Sequence, residues 1–236
     1  MNLRLHDPGP GKWLEEALWQ WGRNRPPKVG SWVPSGYETY IRILHPARRS
    51  VNRRSKPVRW GEVARWSGRK IHTSVSFSEL STPLPEAGLG PRPWNEPPYE
   101  DGMSKEETLE LAGVLADFTD TPETCWFAMW DGYGVLQMPL QEGPEKIHLT
   151  ARDYRLFEGS LREISSFQFG SFYQPPNIWW PDDRAWCVSS EIDLDTTLVG
   201  ASRQCIDRIL QSDFETIEVG IEDPLPIMLV PNSERG

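Results

Sequence analysis

The spacing of apolar side chains along the chain predicts several helices. Residues 12–22 carry tryptophan and leucine three and four positions apart, which is the spacing of one face of an amphipathic helix. Residues 104–118 begin with a capping box and keep their leucines on one face, so they predict a second helix. Shorter helices are expected at residues 58–68, 161–165 and 202–210.

Extended segments alternate with these helices. Residues 37–44 and 124–130 are rich in aromatic and β-branched side chains, and residues 183–194 form the longest strand candidate. Both faces of residues 124–130 are apolar, so this strand is expected to be central and covered on both sides. Residues 131–134 have the composition of a hairpin turn. The other extended segments are residues 70–81, 135–138, 146–149, 154–160 and 214–220.

The order of these elements predicts the fold class. Several strands interrupted by a few flanking helices indicate an α+β fold, with a mostly antiparallel sheet in a single domain. Residues 82–102 hold six prolines, which keep a backbone extended, so they form a linker or a long surface loop. They separate residues 1–81, the basic N-terminal part of the core, from residues 103–236, an acidic and tryptophan-rich part of the same core.

Length and composition bound the class of protein. A chain of 236 residues with 25% charged residues is long enough to bury a core. No apolar run approaches the roughly 18 residues that span a bilayer, and the first residues lack a signal core, so a cytoplasmic protein is expected. Cys125, Cys187 and Cys205 lack the spacing of a disulfide framework or zinc site. We expect buried structural thiols, with a nucleophile paired to a histidine as the alternative.

Charge is distributed unevenly along the chain. The net charge is −9, but residues 1–72 hold fifteen Lys and Arg against five Asp and Glu, which leaves −19 for the remainder. Such asymmetry indicates either a basic segment that faces nucleic acid or two parts that attract each other within one fold.

An acidic stretch near residue 190 is the main candidate site. Glu191, Asp193 and Asp195 alternate with apolar residues, so on a strand they would share one face, and Asp182 and Asp183 precede them. Three interpretations are open: a solvated strand face, an acidic surface for a basic partner, or ligands of Mg²⁺ or Mn²⁺. Alternate side chains on a strand lie about 6.5–7 Å apart, so one ion would need ligands from other segments as well.

Two adjacent tryptophans, Trp179 and Trp180, follow a proline pair in a stretch with the composition of a loop. If they are exposed, they are suited to bind a partner or to stack on a sugar or base; if they are buried, they belong to the core. Both interpretations stay open. The candidate partner-binding residues are Trp179, Trp180, Asp182, Asp183, Glu191, Asp193 and Asp195.

A basic loop at residues 48–56 is the second candidate site, because clustered lysine and arginine bind the phosphates of nucleic acid. Residues 60–68 resemble the opening of a helix-turn-helix, but no recognition helix follows them. Nucleic-acid binding is therefore an alternative and not the leading expectation. The basic side chains of this loop are Arg48, Arg49, Arg53, Arg54 and Lys56.

Three blocks of the sequence resemble blocks in a group of actinobacterial proteins of similar size and order. The blocks are TPETCWFAMWDGYG, DYRLFEGS and WWPDDRAWCVSSEIDLDTTLVGAS, and the likeness extends over most of the chain from Tyr37 onward. That group has no assigned activity, so the resemblance implies no catalytic residue.

The leading expectation is a non-enzymatic binding protein whose acidic surface engages a basic protein partner, by analogy with immunity and antitoxin factors. The chain lacks the sequence of a phosphate-binding loop between a strand and a helix, and of a nucleophile elbow. One alternative is a metal-dependent hydrolase or transferase that uses the acidic residues together with Asp131. The other is nucleic-acid binding through the basic loop. We assign no catalytic residue, metal ligand or cofactor.

Overall fold

Short strands outnumber helices in the described part of the chain. A computed structural model describes residues 3–22, 24–52, 54–88, 90–99, 102–133, 144–149 and 152–226. Within these ranges the strands are β1 (Arg4–His6), β2 (Thr39–Leu44), β3 (Ala47–Val51), β4 (Arg54–Val58), β5 (Cys125–Trp130), β6 (Ile147–Leu149), β7 (Arg152–Gly159), β8 (Gln168–Phe169), β9 (Phe172–Tyr173), β10 (Ile178–Pro181), β11 (Cys187–Ser189), β12 (Thr196–Ala201) and β13 (Thr216–Val219). The α-helices are α1 (Trp13–Ala17), α2 (Trp60–Ser67), α3 (Phe77–Leu80), α4 (Lys105–Leu115) and α5 (Arg203–Leu210).

One antiparallel sheet organises the molecule. Eight of its nine described strands follow the order β1, β7, β5, β10, β11, β12, β2, β13, and β6 pairs with β7. The early strand β2 lies between β12 and β13, so distant parts of the chain share the sheet. The pairs β3–β4 and β8–β9 form two small sheets of their own. The predicted α+β fold, a single domain with a mostly antiparallel sheet, is confirmed.

Apolar side chains cover both faces of the sheet, and β5 illustrates the reason. Phe127 and Met129 pack with residues of α4 and α5, whereas Trp126 and Ala128 pack on the opposite face with residues of α1. Alternate side chains of a strand point to opposite faces, so a strand with no polar face has to lie between two layers. The prediction that this strand is central is therefore confirmed.

A smaller core holds α2, α3 and the proline-rich segment together. Trp60, Phe77 and Trp94 are buried there, and the Phe77 ring packs edge-to-face on both tryptophans, with centroids 5.5 and 5.7 Å apart. Such aromatic pairs each contribute about 0.5–1.5 kcal/mol beyond the area they bury. Trp94 therefore fixes residues 90–99 against the body of the protein.

Helix ends match the predictions where a capping residue marks them. Ser104 accepts a hydrogen bond from the Glu107 N–H (3.2 Å) at the start of α4, and Gly68 adopts a positive φ of 73° after α2. The first helix is shorter than predicted, since the backbone becomes extended at Leu18. Among the described residues, none of the helices has the length and apolar character needed to cross a bilayer.

The extended segment at residues 70–81 was predicted wrongly. Within residues 70–81 the structure contains the helix α3, because Ser76 Oγ accepts a hydrogen bond from the Glu79 N–H (3.1 Å) and begins a helical turn. The predicted strand at residues 135–138 lies outside the described residues.

The N-terminus of α2 is capped by a carboxylate from a distant part of the chain. Trp60 N–H and Gly61 N–H donate to the two oxygens of Glu215, at 2.5 and 2.7 Å. Replacing Glu215 with alanine leaves both donors without this acceptor, so we expect a loss of about 1–2 kcal/mol in the free energy of unfolding. Urea denaturation measures it. The control Glu218→Ala removes an exposed ion pair and should change stability far less; equal losses would contradict a capping role for Glu215.

Candidate functional site

The acidic residues near position 190 do not line one strand face, and this prediction was wrong. β11 ends at Ser189, and the chain turns before β12 begins at Thr196. Leu194 N–H donates to the Glu191 carbonyl (3.0 Å) within this turn, and the Leu194 side chain is buried. The alternation of polar and apolar residues therefore arises from a turn that inserts one leucine into the core.

Glu191 is buried in an ion pair instead of exposed on a surface. Its carboxylate accepts hydrogen bonds from Tyr154 Oη (2.7 Å) and Arg152 Nη1 (3.1 Å), and Arg152 also binds Asp193. Desolvation raises the pKa of Glu191 to about 7, against the lowering effect of Arg152 and Tyr154. Glu191 and the partly exposed Asp193 thus both bind Arg152 within the fold.

Asp195 is buried directly before β12, in a cluster of polar groups. Its Oδ2 accepts a hydrogen bond from the Phe77 N–H (3.0 Å), and Arg42 Nη2 lies 3.9 Å from Oδ1. Burial raises the pKa of Asp195, with the Phe77 N–H and Arg42 acting in the opposite direction. The alternation in sequence pointed to Asp195 as an exposed carboxylate, but the structure places it inside.

His45 lies next to this cluster and is also buried. Its Nδ1 contacts the Tyr99 carbonyl (2.8 Å), which can only accept, so Nδ1 carries the proton and Nε2 accepts from Thr197 Oγ1 (2.9 Å). Burial lowers the pKa of His45, so the ring is held neutral. The arrangement fixes the orientation of His45 but points neither nitrogen to solvent.

The two adjacent tryptophans belong to the core, which is one of the two interpretations that the sequence left open. Trp179 and Trp180 lie in β10 and not in a loop, and each is 1% exposed. Trp179 packs on one face of the sheet and Trp180 on the other, as the alternation of a central strand requires. The neighbouring prolines gave this segment the composition of a loop, so the strand was not predicted. Pro181 is its last residue and pairs with Cys125.

Asp182 and Asp183 are the two exposed members of the predicted set. Asp182 accepts a hydrogen bond from Trp126 Nε1 (2.9 Å), and Asp183 accepts from Thr119 Oγ1 (2.9 Å) and from the Asp120 N–H (2.7 Å). Both carboxylates therefore hold the turn after β10 in place. The structure does not bring them together with Glu191, Asp193 and Asp195 in one surface.

The residues proposed for a metal site are also dispersed. Asp131 forms ion pairs with the side chains of Lys146 and Arg155. Burial acts to raise the pKa of Asp131, but these two cations outweigh it and the pKa is lowered. Within the described ranges, no group of three or more His, Cys, Asp and Glu side chains is placed to hold a metal ion.

The three cysteines are buried and free, as expected. Desolvation raises the pKa of Cys125 and of Cys205 to about 12, and it raises the pKa of Cys187 as well. The thiolate is the nucleophilic form of cysteine, so a raised pKa disfavours the nucleophile that the sequence left open.

The basic segment at residues 48–56 was predicted to be a loop, and the structure corrects it to a hairpin. β3 and β4 pair from Ala47–Val58 to Val51–Arg54, and Asn52 at the turn has a positive φ of 50°. A positive φ at this position is typical of tight hairpin turns, and asparagine tolerates it. Arg53 lies outside the described residues.

The basic hairpin, formed by Ala47–Val51 and Arg54–Val58, presents its charges on two faces. Arg49, Arg54 and Lys56 share one face and are exposed. Arg48 points to the other face, where its guanidinium lies over the Tyr99 ring, 4.6 Å from the centroid. Within the described residues, Arg49, Arg54 and Lys56 form no ion pair with a carboxylate.

A cavity of about 400 Å³ lies next to the basic hairpin, between α3 and the proline-rich segment. Its lining includes Phe77, Arg92, Trp94 and Asp195. Sequence reasoning missed Phe77, Arg92 and Trp94 as site residues. A signal was present: exposing a tryptophan to water is unfavourable, so a tryptophan within a proline-rich segment indicates that the segment docks on the protein.

No family model matches the chain, and neither does any curated protein or solved structure. The resemblance to the actinobacterial group stays a prediction, and a function has to be inferred from the geometry of the hairpin and the cavity.

Proposed function

We propose that this protein binds nucleic acid through the basic hairpin. The observation that carries the proposal is the face formed by Arg49, Arg54 and Lys56, which is exposed and has no carboxylate partner in the described part of the chain. Unpaired lysine and arginine side chains gain free energy when they neutralise phosphates and release the counterions condensed on a nucleic acid.

The register of the hairpin determines the shape of this face. Arg49 is directly opposite Lys56, and Val51 is opposite Arg54. Opposite side chains of an antiparallel pair have Cβ atoms about 4.5–5.5 Å apart, so the three cations form one continuous patch. Like charges this close repel each other, and a polyanion that binds to them relieves the repulsion.

Hydrogen bonds attach the hairpin to the proline-rich segment. Asn95 uses both atoms of its side-chain amide, accepting from the Ser50 N–H (2.8 Å) and donating to the Ser50 carbonyl (2.7 Å). The Arg48 N–H also donates to the Glu96 carbonyl (2.9 Å). These contacts restrict the hairpin before binding, which lowers the conformational entropy lost on binding and favours recognition by this face.

The leading expectation from the sequence was an acidic surface that engages a basic protein. Most of the residues named for that surface are buried or paired within the fold. Trp179, Trp180, Glu191 and Asp195 are buried, and Asp193 is paired with Arg152. Asp182 and Asp183 remain exposed, but they hydrogen-bond within the fold. Within the described residues, no carboxylate neutralises Arg49, Arg54 or Lys56, so the charge of the basic hairpin supports nucleic-acid binding better.

The proposal predicts salt-dependent binding that depends on three side chains. Replacing Arg49, Arg54 and Lys56 together with glutamine should weaken binding of a fluorescent single-stranded oligothymidylate at least tenfold at low salt. The slope of log affinity against log salt should fall by about 2, since each phosphate contact on a single strand contributes about 0.7. Fluorescence anisotropy at several salt concentrations measures both quantities.

A matched control removes the same charge elsewhere. Arg4, Arg162 and Arg208 are exposed and form no ion pair with a described residue, so their triple replacement by glutamine should leave most of the affinity intact. Absence of binding by the unmodified protein at low salt would rule the proposal out. Equal weakening by the two triple variants would show that net charge, and not the hairpin, governs binding.

A further inference from the structure

The cavity beside the basic hairpin has the features of a ligand site. It is about 400 Å³ in volume, and its walls include the aromatic rings of Phe77 and Trp94 together with Pro97. Ligand sites are typically concave and mostly apolar, with a few polar groups that fix orientation. In this cavity Asp195 is the buried polar group.

Asp195 retains capacity to accept hydrogen bonds. The residue is 8% exposed, and its Oδ2 accepts one hydrogen bond from the Phe77 N–H. Arg42 Nη2 is 3.9 Å from Oδ1, which is beyond hydrogen-bonding distance, and Arg42 donates instead to the carbonyls of Thr73 and Val75. The Asp195 backbone N–H also hydrogen-bonds to this carboxylate. A carboxylate offers about four lone-pair sites, so Asp195 can still accept from a ligand that donates.

Arg92 connects the cavity to the basic hairpin. Its side chain is exposed at the cavity, with the guanidinium 5.7 Å from the centroid of the Trp94 ring. Its carbonyl accepts a hydrogen bond from Arg49 Nη1 (2.7 Å), so the cavity begins where the basic face ends. A chain of phosphates on the hairpin would therefore bring a neighbouring base to the cavity.

We propose that the cavity binds a guanine base, whose N–H groups donate to Asp195 while the base packs against Phe77 and Trp94. This inference rests on the proposed function and names the part of a single strand that the site selects. Guanine presents two adjacent donors, N1–H and N2–H, which match the two oxygens of one carboxylate. Adenine, cytosine and uracil each place an acceptor next to their donor, and this acceptor would face the carboxylate and repel it.

Binding of the four nucleoside monophosphates tests the inference. Isothermal titration calorimetry should give an affinity for guanosine monophosphate at least tenfold above the affinities for the adenosine, cytidine and uridine monophosphates. Asp195→Asn should remove this preference, since the amide replaces one acceptor with a donor. Equal affinities in the unmodified protein, no binding of any monophosphate, or a preference that survives Asp195→Asn would overturn the inference.

A second variant guards against loss of folding in Asp195→Asn. Ser78 is exposed and lines the cavity, so Ser78→Trp should fill the site without disturbing the core and should abolish guanosine monophosphate binding. Unchanged binding by Ser78→Trp would place the nucleotide elsewhere and overturn the inference. Thermal unfolding confirms that each variant is folded.

The two proposals fail separately. If oligothymidylate binds through the hairpin but the four monophosphates bind equally, the hairpin function stands and the guanine site is wrong. If guanosine monophosphate binds preferentially and Asp195→Asn removes the preference, but no oligonucleotide binds, the cavity is a site for a free nucleotide and the proposed function is wrong.

Discussion

Replacing Trp179 with alanine is expected to lower the free energy of unfolding by about 3–5 kcal/mol. The Trp179 side chain is 1% exposed and packs edge-to-face on Trp186, with ring centroids 5.2 Å apart. Because β10 pairs with both β5 and β11, the surrounding backbone cannot collapse into the cavity that alanine would leave. Urea denaturation followed by circular dichroism measures the loss.

An exposed aromatic residue provides the control for this experiment. Phe172 is 50% exposed in β9, so Phe172→Ala should change the free energy of unfolding by less than about 1 kcal/mol. If Trp179→Ala does not fold, Trp179→Phe keeps most of the packing and should give a smaller, measurable loss. An unchanged urea midpoint in both Trp179 variants would mean that the tryptophan is a surface residue, contrary to the structure.

Replacing Arg152 with methionine should destabilise the protein by about 3–5 kcal/mol at pH 8, because it leaves the Glu191 carboxylate buried without its cation. Glu191 is 1% exposed, and Arg152 Nη1 lies 3.1 Å from it. At pH 5 the loss should be smaller, since Glu191 then binds a proton and no longer needs the cation. Urea denaturation at the two pH values measures the difference, and equal losses would contradict a burial-raised pKa at Glu191.

Glu191→Gln provides the matched test of the same ion pair. The pKa of Glu191 in the folded protein, about 7, is above its ordinary value of 4.5. Between pH 4.5 and 7 the folded protein therefore keeps a proton on Glu191 that the unfolded chain has lost. This protonation stabilises the folded protein fully below pH 4.5, and the stabilisation is lost as pH rises through 7. The loss in the free energy of unfolding is about 3 kcal/mol. The stability of the unmodified protein relative to Glu191→Gln should therefore fall by this amount between pH 4.5 and 8. A constant difference would show that Glu191 stays ionised.

Elements with strong local signals could be predicted from the sequence. The capping box at Ser104, the helix-ending Gly68 and the two apolar faces of β5 each depend on residues close together in the chain. Such signals need no knowledge of the tertiary structure. The α+β class followed from them, whereas the order of strands in the sheet did not, because β2 pairs with strands from the far end of the chain.

The strand predicted for the acidic residues was wrong because alternation alone does not distinguish a strand from a turn. The polar–apolar pattern around Leu194 fits a half-buried strand, but it fits equally a turn with one leucine in the core. Glu191 forms its ion pair with Arg152, which is distant in sequence and gives no local signal. An unpaired buried carboxylate is so unfavourable that the long-range ion pair, and not the local pattern, determines where Glu191 lies.

The basic hairpin was missed for a different reason. Arginine and lysine are common in loops, so the charged residues between Ala47 and Val58 did not indicate the two strands that pair there. The residues were nevertheless identified correctly as a basic cluster, because charge can be counted without a structure. The cavity was not predicted, since it brings Asp195 together with Phe77 and Trp94 from two other segments.

The position of β2 has a consequence for synthesis of the protein on the ribosome. Both hydrogen-bonding edges of β2 are occupied, by β12 and by β13, and these strands are translated almost last among the described residues. Until they emerge, Ile41 and Ile43 stay accessible to other nascent chains, although both are buried in the finished protein. Contacts this distant in sequence form slowly, so we expect aggregation during expression to respond to chaperone supply and to growth temperature.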